Sequence, residues 1–303
     1  MKYRWLLHGA AGGDANAAWR PVPLNIARPN VKISVELSSH CPSLNGVIPP
    51  SQLVSLDLGY WQPKRTTLDE SHAVNVATLK SSLLANTNLK VLRYTAEDAD
   101  MHIFGGDCIP FPTFTRNQKV PAFRELTIPS YQWNHSTAEV ELSWNFKELR
   151  YLDIRGVPLY PFFSSINFSD FGNLRVLKIG DFSWSRSEDL RAQGVSLLEE
   201  FLLTVPNLEE FYMTSWRTGE LTQGAMEVLS YLKVLEFRET ILIGEEPEND
   251  AGSVFDIAGL EKLGKWHPFL EELAVEIDPK SDEVSPFLNT FPLLFGQRAW
   301  LIR

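Results

Sequence analysis

The feature that most constrains the fold of this chain is a short apolar pattern that recurs eight times. The pattern is an apolar residue, two intervening residues, a second apolar residue, one intervening residue and a third apolar residue. Its copies begin at Leu53, Leu89, Phe123, Leu149, Leu174, Leu208, Leu232 and Leu270. Successive copies are separated by 36, 34, 26, 25, 34, 24 and 38 residues. A recurrence at this period is typical of repeat proteins.

Strand geometry gives each copy two sides. Successive side chains of a strand point to opposite faces, so the second and third apolar residues, such as Leu56 and Leu58, are predicted to point into the core. A single copy cannot bury this face alone, so neighbouring copies must stack. The sequence therefore predicts an α/β solenoid of about eight irregular repeats, with a curved parallel sheet inside and helices outside. The main alternative is a doubly wound α/β domain, although no Gly-rich phosphate turn follows the first strand.

The connections between the strands carry helical periodicity. Helices are predicted at 73–86, 187–203, 221–231 and 254–266. The second of these has Ser187 as its N-cap and carries Leu190, Val195, Leu198, Phe201 and Leu202. The shorter connections leave room for one helical turn or an extended stretch.

The first 50 residues differ from the rest. A glycine-rich segment at 9–13 is typical of a loop, and residues 31–37 alternate polar and apolar side chains, which predicts a strand. Solenoids need a capping element at their ends. We therefore divide the chain into an N-terminal linker and capping-strand region at 1–50 and a repeat region at 51–303.

Composition limits the class of partner and the compartment. Lys and Arg number 28 and Asp and Glu 38, so the net charge is 28 − 38 = −10, which disfavours binding to nucleic acid. The two cysteines, Cys41 and Cys108, cannot form a disulfide scaffold and favour a reducing intracellular compartment, cytoplasmic or nuclear. No apolar run has the length of a membrane span, and the apolar stretch in residues 1–7 is too short for a signal peptide.

No motif for catalysis, a cofactor or a metal is found in the sequence. The phosphate-binding loop, the G-x-S-x-G elbow, H-E-x-x-H and C-x-x-C are all missing. The acidic segment 97–108 invites a calcium hypothesis, but a loop counted from Asp98 places Ile103 and Ile109 where glycine and glutamate are required. His40 beside Cys41 has no third ligand nearby in sequence. We predict no enzyme activity, no cofactor and no metal.

A protein-binding surface is predicted on the outward strand positions. The candidate residues are Asp57, Arg93, Asp153, Arg155, Lys178, Tyr212, Glu236 and Arg238. They carry charges of both signs, which favours a protein partner over a phosphate backbone.

Four tryptophans extend this hypothesis. Trp61, Trp133, Trp184 and Trp216 follow the last apolar residue of their copies by a few positions, so they should gather along one edge of the sheet. Aromatic residues of this kind anchor many protein interfaces. The competing interpretation is that they pack on one another and cover the edge of the core.

The eight copies, from Leu53 to Val275, resemble the irregular leucine-rich repeats of F-box proteins, especially the divergent fungal set. The resemblance covers roughly three quarters of the chain. In that family the repeats hold a target protein, and an N-terminal F-box joins it to a cullin-type ubiquitin ligase through an adaptor. The resemblance therefore implies a substrate-binding subunit, with a protein target and a cullin adaptor as partners.

One part of the family pattern is missing. An F-box usually opens with Leu-Pro and an amphipathic helical run, and residues 1–50 contain no such run. The box was lost, lies outside this chain or never existed, so a free-standing scaffold or regulatory protein remains an alternative. The third hypothesis is an enzyme on a doubly wound sheet. Asp57, Asp153 and Glu236 lie within predicted strands, but no nucleophile or base accompanies them.

Overall fold

The computed structural model of the chain describes residues 2–7, 32–37, 53–60, 68–96, 112–129, 131, 133–180, 187–214, 223–238 and 265–275. The chain divides into two compact units, Met1–Leu149 and Arg150–Arg303. Both units are α/β, with parallel strands and helices. The division of the chain at residue 50 stays a prediction.

Unit 1 contains five described strands, each paired in parallel with the next in sequence. They are β1 (Lys2–Leu7), β2 (Lys32–Leu37), β3 (Leu53–Tyr60), β4 (Val91–Ala96) and β5 (Glu125–Thr127). Two helices are described, α1 (Leu68–Ala85) and α2 (Thr137–Ser143). The strand predicted at 31–37 is confirmed as β2, whereas β1 lies where the sequence predicts no strand.

Unit 2 has the same arrangement. Its described strands are β6 (Tyr151–Arg155), β7 (Val176–Gly180), β8 (Glu210–Thr214), β9 (Val234–Arg238) and β10 (Glu272–Val275), again parallel and paired in sequence order. Its described helices are α3 (Leu159–Ser165), α4 (Glu188–Thr204) and α5 (Gln223–Val228), together with a 3-10 helix at Phe168–Phe171. The helix predicted at 254–266 falls mostly outside the described residues.

The same turn introduces the strand at six copies of the apolar pattern. The N–H of the first leucine donates to the carbonyl three residues earlier, as from Leu89 to Asn86 at 3.0 Å and from Leu208 to Val205 at 3.1 Å. The other leucines that make this bond are Leu149, Leu174, Leu232 and Leu270. All six leucines are buried. The sequence pattern therefore corresponds to one recurring local geometry.

The cores lie on one side of the strands. Leu56 and Leu58 are buried as predicted. In unit 2 the ring of Phe201, on α4, lies 5.0 Å from that of Phe163 and 5.2 Å from that of Phe171, measured between centroids. These buried aromatic contacts hold α4 against α3 and the 3-10 helix.

Helix α4 confirms one expectation and corrects another. Ser187 is the N-cap, and its Oγ accepts a hydrogen bond from the N–H of Leu190 at 3.4 Å. Leu190 itself is exposed, although the sequence predicts it on the apolar face. The close contact of α4 with α3 is made one turn later, at Gly194, where a Cβ would lie 3.0 Å from the backbone nitrogen of Tyr160. The glycine lets α4 approach the start of α3 closely. Leu190 lies one turn earlier, in the first turn of α4, beyond this contact.

Candidate functional site

Alternate strand residues point away from the core and form what we call the polar face. In unit 1 it comprises Ser55, Asp57, Val91, Arg93 and Glu125. In unit 2 it comprises Tyr151, Asp153, Arg155, Val176, Lys178, Glu210, Tyr212, Thr214, Val234, Glu236 and Glu272. Most of these side chains are at least partly exposed.

A line of alternating charge crosses the polar face of unit 1. Asp57 and Arg93 lie opposite each other on β3 and β4. The Arg93 Nη1 is 3.5 Å from Asp57 Oδ2, and its Nη2 is 2.6 Å from Glu125 Oε1 on β5. Burial lowers the pKa of Arg93, but the two carboxylates outweigh it and raise the pKa overall. One arginine therefore fixes the positions of two acidic side chains on neighbouring strands.

The polar face of unit 2 contains a row of candidate residues aligned by strand register. Asp153 on β6 lies opposite Lys178 on β7, Lys178 opposite Tyr212 on β8, and Tyr212 opposite Glu236 on β9. Facing positions on neighbouring parallel strands lie about 4.8 Å apart. The structure thus brings together four of the residues predicted from sequence.

Asp153 and Arg155 form a bidentate pair at one end of this row. The Arg155 Nε donates to Asp153 Oδ1 at 2.9 Å, and Nη2 donates to Oδ2 at 2.8 Å. The carboxylate is buried, with 2% of the side chain exposed, whereas 45% of the arginine side chain is exposed. The hydrogen bond to Asp153 raises the pKa of Arg155. Asp153 is therefore a support for Arg155, and its own carboxylate is not available to a partner.

Lys178 lies between two tyrosines. Its Nζ is 4.2 Å from the ring centroid of Tyr212 and 5.6 Å from that of Tyr151, both within the range of a cation–π contact. The Tyr212 hydroxyl donates to Glu210 Oε2 at 2.9 Å. Burial and this hydrogen bond raise the pKa of Tyr212, so the phenol stays protonated. The rings and the ammonium form a fixed group at the centre of the face.

Trp133 is not an exposed anchor. Only 3% of it is exposed, and its ring lies 4.7 Å from that of His135 and 5.4 Å from that of Trp144. For this residue the structure fits the competing interpretation, in which the aromatic side chain closes the edge of the core. Trp61, Trp184 and Trp216 lie outside the described residues, as do the acidic segment 97–108, His40 and Cys41. Arg238 belongs to β9, but its side chain is not described.

A buried polar chain accompanies Trp133. The Tyr131 hydroxyl is 2.7 Å from His135 Nε2, and His135 Nδ1 is 2.8 Å from Glu139 Oε1. The same Glu139 oxygen accepts the backbone N–H of Phe114 at 2.6 Å. Burial lowers the pKa of His135, against the opposing influence of Glu139, and burial raises the pKa of Tyr131. A neutral imidazole that donates from Nδ1 and accepts at Nε2 satisfies both neighbours.

Two exposed aromatic residues are missing from the sequence-based prediction. Tyr231 and Phe269 are 55% and 57% exposed, and their rings stack with centroids 6.2 Å apart and an interplanar angle of 3°. Each immediately precedes the first leucine of a pattern copy, where Asn88, Asn173 and Asn207 stand in other copies. An alignment of the copies with one another would have revealed the change from asparagine to an aromatic residue.

No protein-family model and no curated protein sequence matches this chain. Among the described residues, no three His, Cys, Asp or Glu side chains are grouped in a way that could hold a metal ion. The described helices include none that combines the length and the hydropathy needed to cross a membrane.

Proposed function

We propose that this chain is a protein-recognition module built as an irregular leucine-rich-repeat solenoid, with the polar face of its strands as the binding surface. The observation that carries the proposal is the fixed group of charged and aromatic side chains in unit 2. Arg155 is held by Asp153, and Lys178 is held by Tyr151 and Tyr212. Side chains that are already ordered lose less conformational entropy when a partner binds.

The strand order supports the same proposal. Within each unit every described strand pairs with its neighbours in sequence, and the same turn precedes six of the strands. Stacked copies of one strand-and-connection unit are the architecture of solenoids, which bind partners along an extended face. The residues of that face come from successive copies, so they can vary without disturbing the leucines behind them.

The first experiment purifies the full chain from its native cells by affinity and identifies the bound proteins by mass spectrometry. The same purification with Lys178→Ala/Tyr212→Ala removes the central group of the polar face. Gln193→Ala/Ser196→Ala, at two exposed positions of α4, is the matched control. We expect the specific partners to be retained by the wild type and the control and lost with the polar-face variant. Equal recovery with all three proteins, at unchanged thermal stability, would contradict binding through this face.

The identity of the bound proteins separates the two hypotheses left open by the sequence. Recovery of a cullin and its adaptor supports a substrate-binding subunit of a ubiquitin ligase, as the resemblance to F-box proteins implies. Reproducible partners without ligase components support a free-standing recognition protein. Addition of a proteasome inhibitor sharpens the comparison, because substrates of a ligase should accumulate in the purified sample whereas scaffold partners should not.

A further inference from the structure

The charges on the polar face of unit 2 are divided between its two sides. Arg155 and Lys178, on β6 and β7, bring positive charge to one side, where the buried Asp153 carboxylate offsets part of it. Glu236 and Glu272, on β9 and β10, bring negative charge to the other. Among the described side chains, the β6–β7 side of this face is therefore the positive side, and the β9–β10 side is the negative side.

The two cations of the positive side are held by contacts and remain partly exposed. Arg155 commits two of its five N–H donors to Asp153, which leaves others for an external acceptor, and 45% of its side chain is exposed. Lys178 is half-buried over the tyrosine rings, with its ammonium at a defined position. A carboxylate placed here would meet two cations that already hold their conformations.

The negative side begins at β8 and continues across the next two strands. Glu236, on β9, lies opposite Tyr212. Glu272, on β10, lies opposite Val234 of β9 and is therefore diagonal to Glu236. Burial is the largest cause of the raised pKa of Tyr212, and the charges of Glu210, Glu236 and Glu272 raise it further. The three carboxylates therefore share one field, which would attract a Lys or Arg side chain.

We infer that the partner contributes a segment of two opposite charges, with an acidic side chain opposite Arg155 and Lys178 and a basic side chain opposite Glu236 and Glu272. This inference rests on the proposed function. A uniformly acidic segment would be repelled by the glutamates, and a uniformly basic one by the two cations. Two strand spacings separate Lys178 from Glu236, about 10 Å, and four separate the strands of Arg155 and Glu272, about 19 Å. The shorter distance corresponds to about three residues of an extended segment or about seven of a helix, and the longer distance to about six or about thirteen.

The test uses a displayed library of random 16-residue peptides. Peptides that bind the full-length wild-type chain are selected first. The protein variant Lys178→Glu/Glu236→Lys exchanges the two signs and leaves the net charge at −10. Lys265→Glu, an exposed position outside the strands, controls for a simple change of charge. Lys178→Gln and Glu236→Gln provide neutral versions should the exchanged protein fail to fold.

We expect the enriched peptides to carry an acidic and a basic residue at a fixed spacing and to lose at least tenfold in affinity for the exchanged protein. Peptides with the two charges exchanged should bind the exchanged protein and not the wild type, and Lys265→Glu should leave both affinities unchanged. Binders that require Tyr212 but show no order of charge would overturn this inference and leave the proposed function standing. A lack of any binder, or binders indifferent to every polar-face substitution, would overturn both.

Discussion

At the scale of single residues, the most informative group is the carboxylate of Asp153. It is nearly inaccessible to solvent, yet it lies on the polar face and not in the apolar core. A buried carboxylate is tolerated when charged hydrogen bonds satisfy it, and Arg155 provides two of these. The strand pattern identifies both residues as outward-facing, but it cannot tell that one of them is covered by the other.

Removal of Arg155 should destabilise the protein more than removal of Lys178. Arg155→Ala removes the two charged hydrogen bonds that satisfy the Asp153 carboxylate, which costs about 1–3 kcal/mol of the free energy of unfolding. Asp153→Asn/Arg155→Ala should recover part of that loss because the charge is gone. Lys178→Ala, which removes only a cation–π contact, should cost about 1 kcal/mol or less. Urea denaturation of the three variants measures these differences, and equal losses for Arg155→Ala and the double variant would refute the supporting role of Asp153.

The buried His135 should make stability depend on pH. Burial lowers its pKa in the folded protein, while in the unfolded chain it is near 6.5. Between these two pKa values the unfolded state binds the extra proton, so the contribution of neutral His135 is complete above pH 6.5 and is lost as the pH falls. The loss should reach up to about 1.4 kcal/mol per pH unit for this one group.

The free energy of unfolding, measured from pH 8 to pH 5 in wild type and His135→Gln, tests this expectation. The variant should show a smaller slope below pH 6.5, whatever its absolute stability. His267, whose pKa is also lowered by burial, accounts for part of the slope that remains. Parallel curves for wild type and variant would show that His135 does not titrate with folding.

At the scale of elements, the apolar pattern predicts the strands well because each copy encodes one strand locally. The strands after Leu89, Leu149, Leu174, Leu208, Leu232 and Leu270 all begin two residues beyond the leucine. The helices are less well bounded: α1 begins at Leu68 and not at 73, and α5 ends at Val228 and not at 231. Helix ends and orientation depend on contacts distant in sequence, such as the approach of Gly194 to α3, and no local pattern contains them.

In the candidate site, too, some features follow from the local sequence and others depend on three-dimensional contacts. Register and alternation place Lys178, Tyr212 and Glu236 together, and both follow from the pattern copies alone. Burial of Trp133 depends on ring contacts with its neighbours Tyr131 and His135 and with Trp144, eleven residues further along the chain. Its proximity to the end of a predicted strand fits either an exposed anchor or a core residue. Only the three-dimensional contacts distinguish the two.

The close approach of β7 and β8 gives an element-scale prediction. A Cβ on Gly180 would overlap the Thr214 Oγ1 and lie 3.0 Å from the Thr214 carbonyl oxygen. Gly180→Ala should therefore cost about 1–3 kcal/mol, because the two strands must separate. Gly172→Ala is the matched control: its Cβ would meet nothing within 4 Å, and its φ of −59° suits alanine. The control should be neutral or more stable by about 0.4–1 kcal/mol. Thermal unfolding compares them, and similar melting temperatures for the two variants would contradict the close packing.

At the scale of the whole molecule, net charge and exposed aromatic surface have opposite effects on self-association. The chain carries a formal charge of −10 at pH 7 and has an isoelectric point near 5.2. Mutual repulsion keeps acidic molecules apart at neutral pH, and it vanishes at the isoelectric point. The exposed pair of Tyr231 and Phe269 then provides a surface through which molecules can associate.

We expect aggregation to be fastest near pH 5.2 and to depend on this pair. Tyr231→Ser/Phe269→Ser should slow the rise of light scattering at pH 5.2 and change the melting temperature little, because both side chains are more than half exposed. Leu203→Ser, at a position of similar exposure on α4, is the control and should aggregate as the wild type does. At pH 7.5 and low salt, the aggregation rates of the three proteins should differ little. Added salt screens the repulsion, so the double variant should then again aggregate more slowly than the wild type and the control. If the double variant aggregates as fast as the wild type at pH 5.2, the association proceeds through another surface, and net charge alone sets the rate.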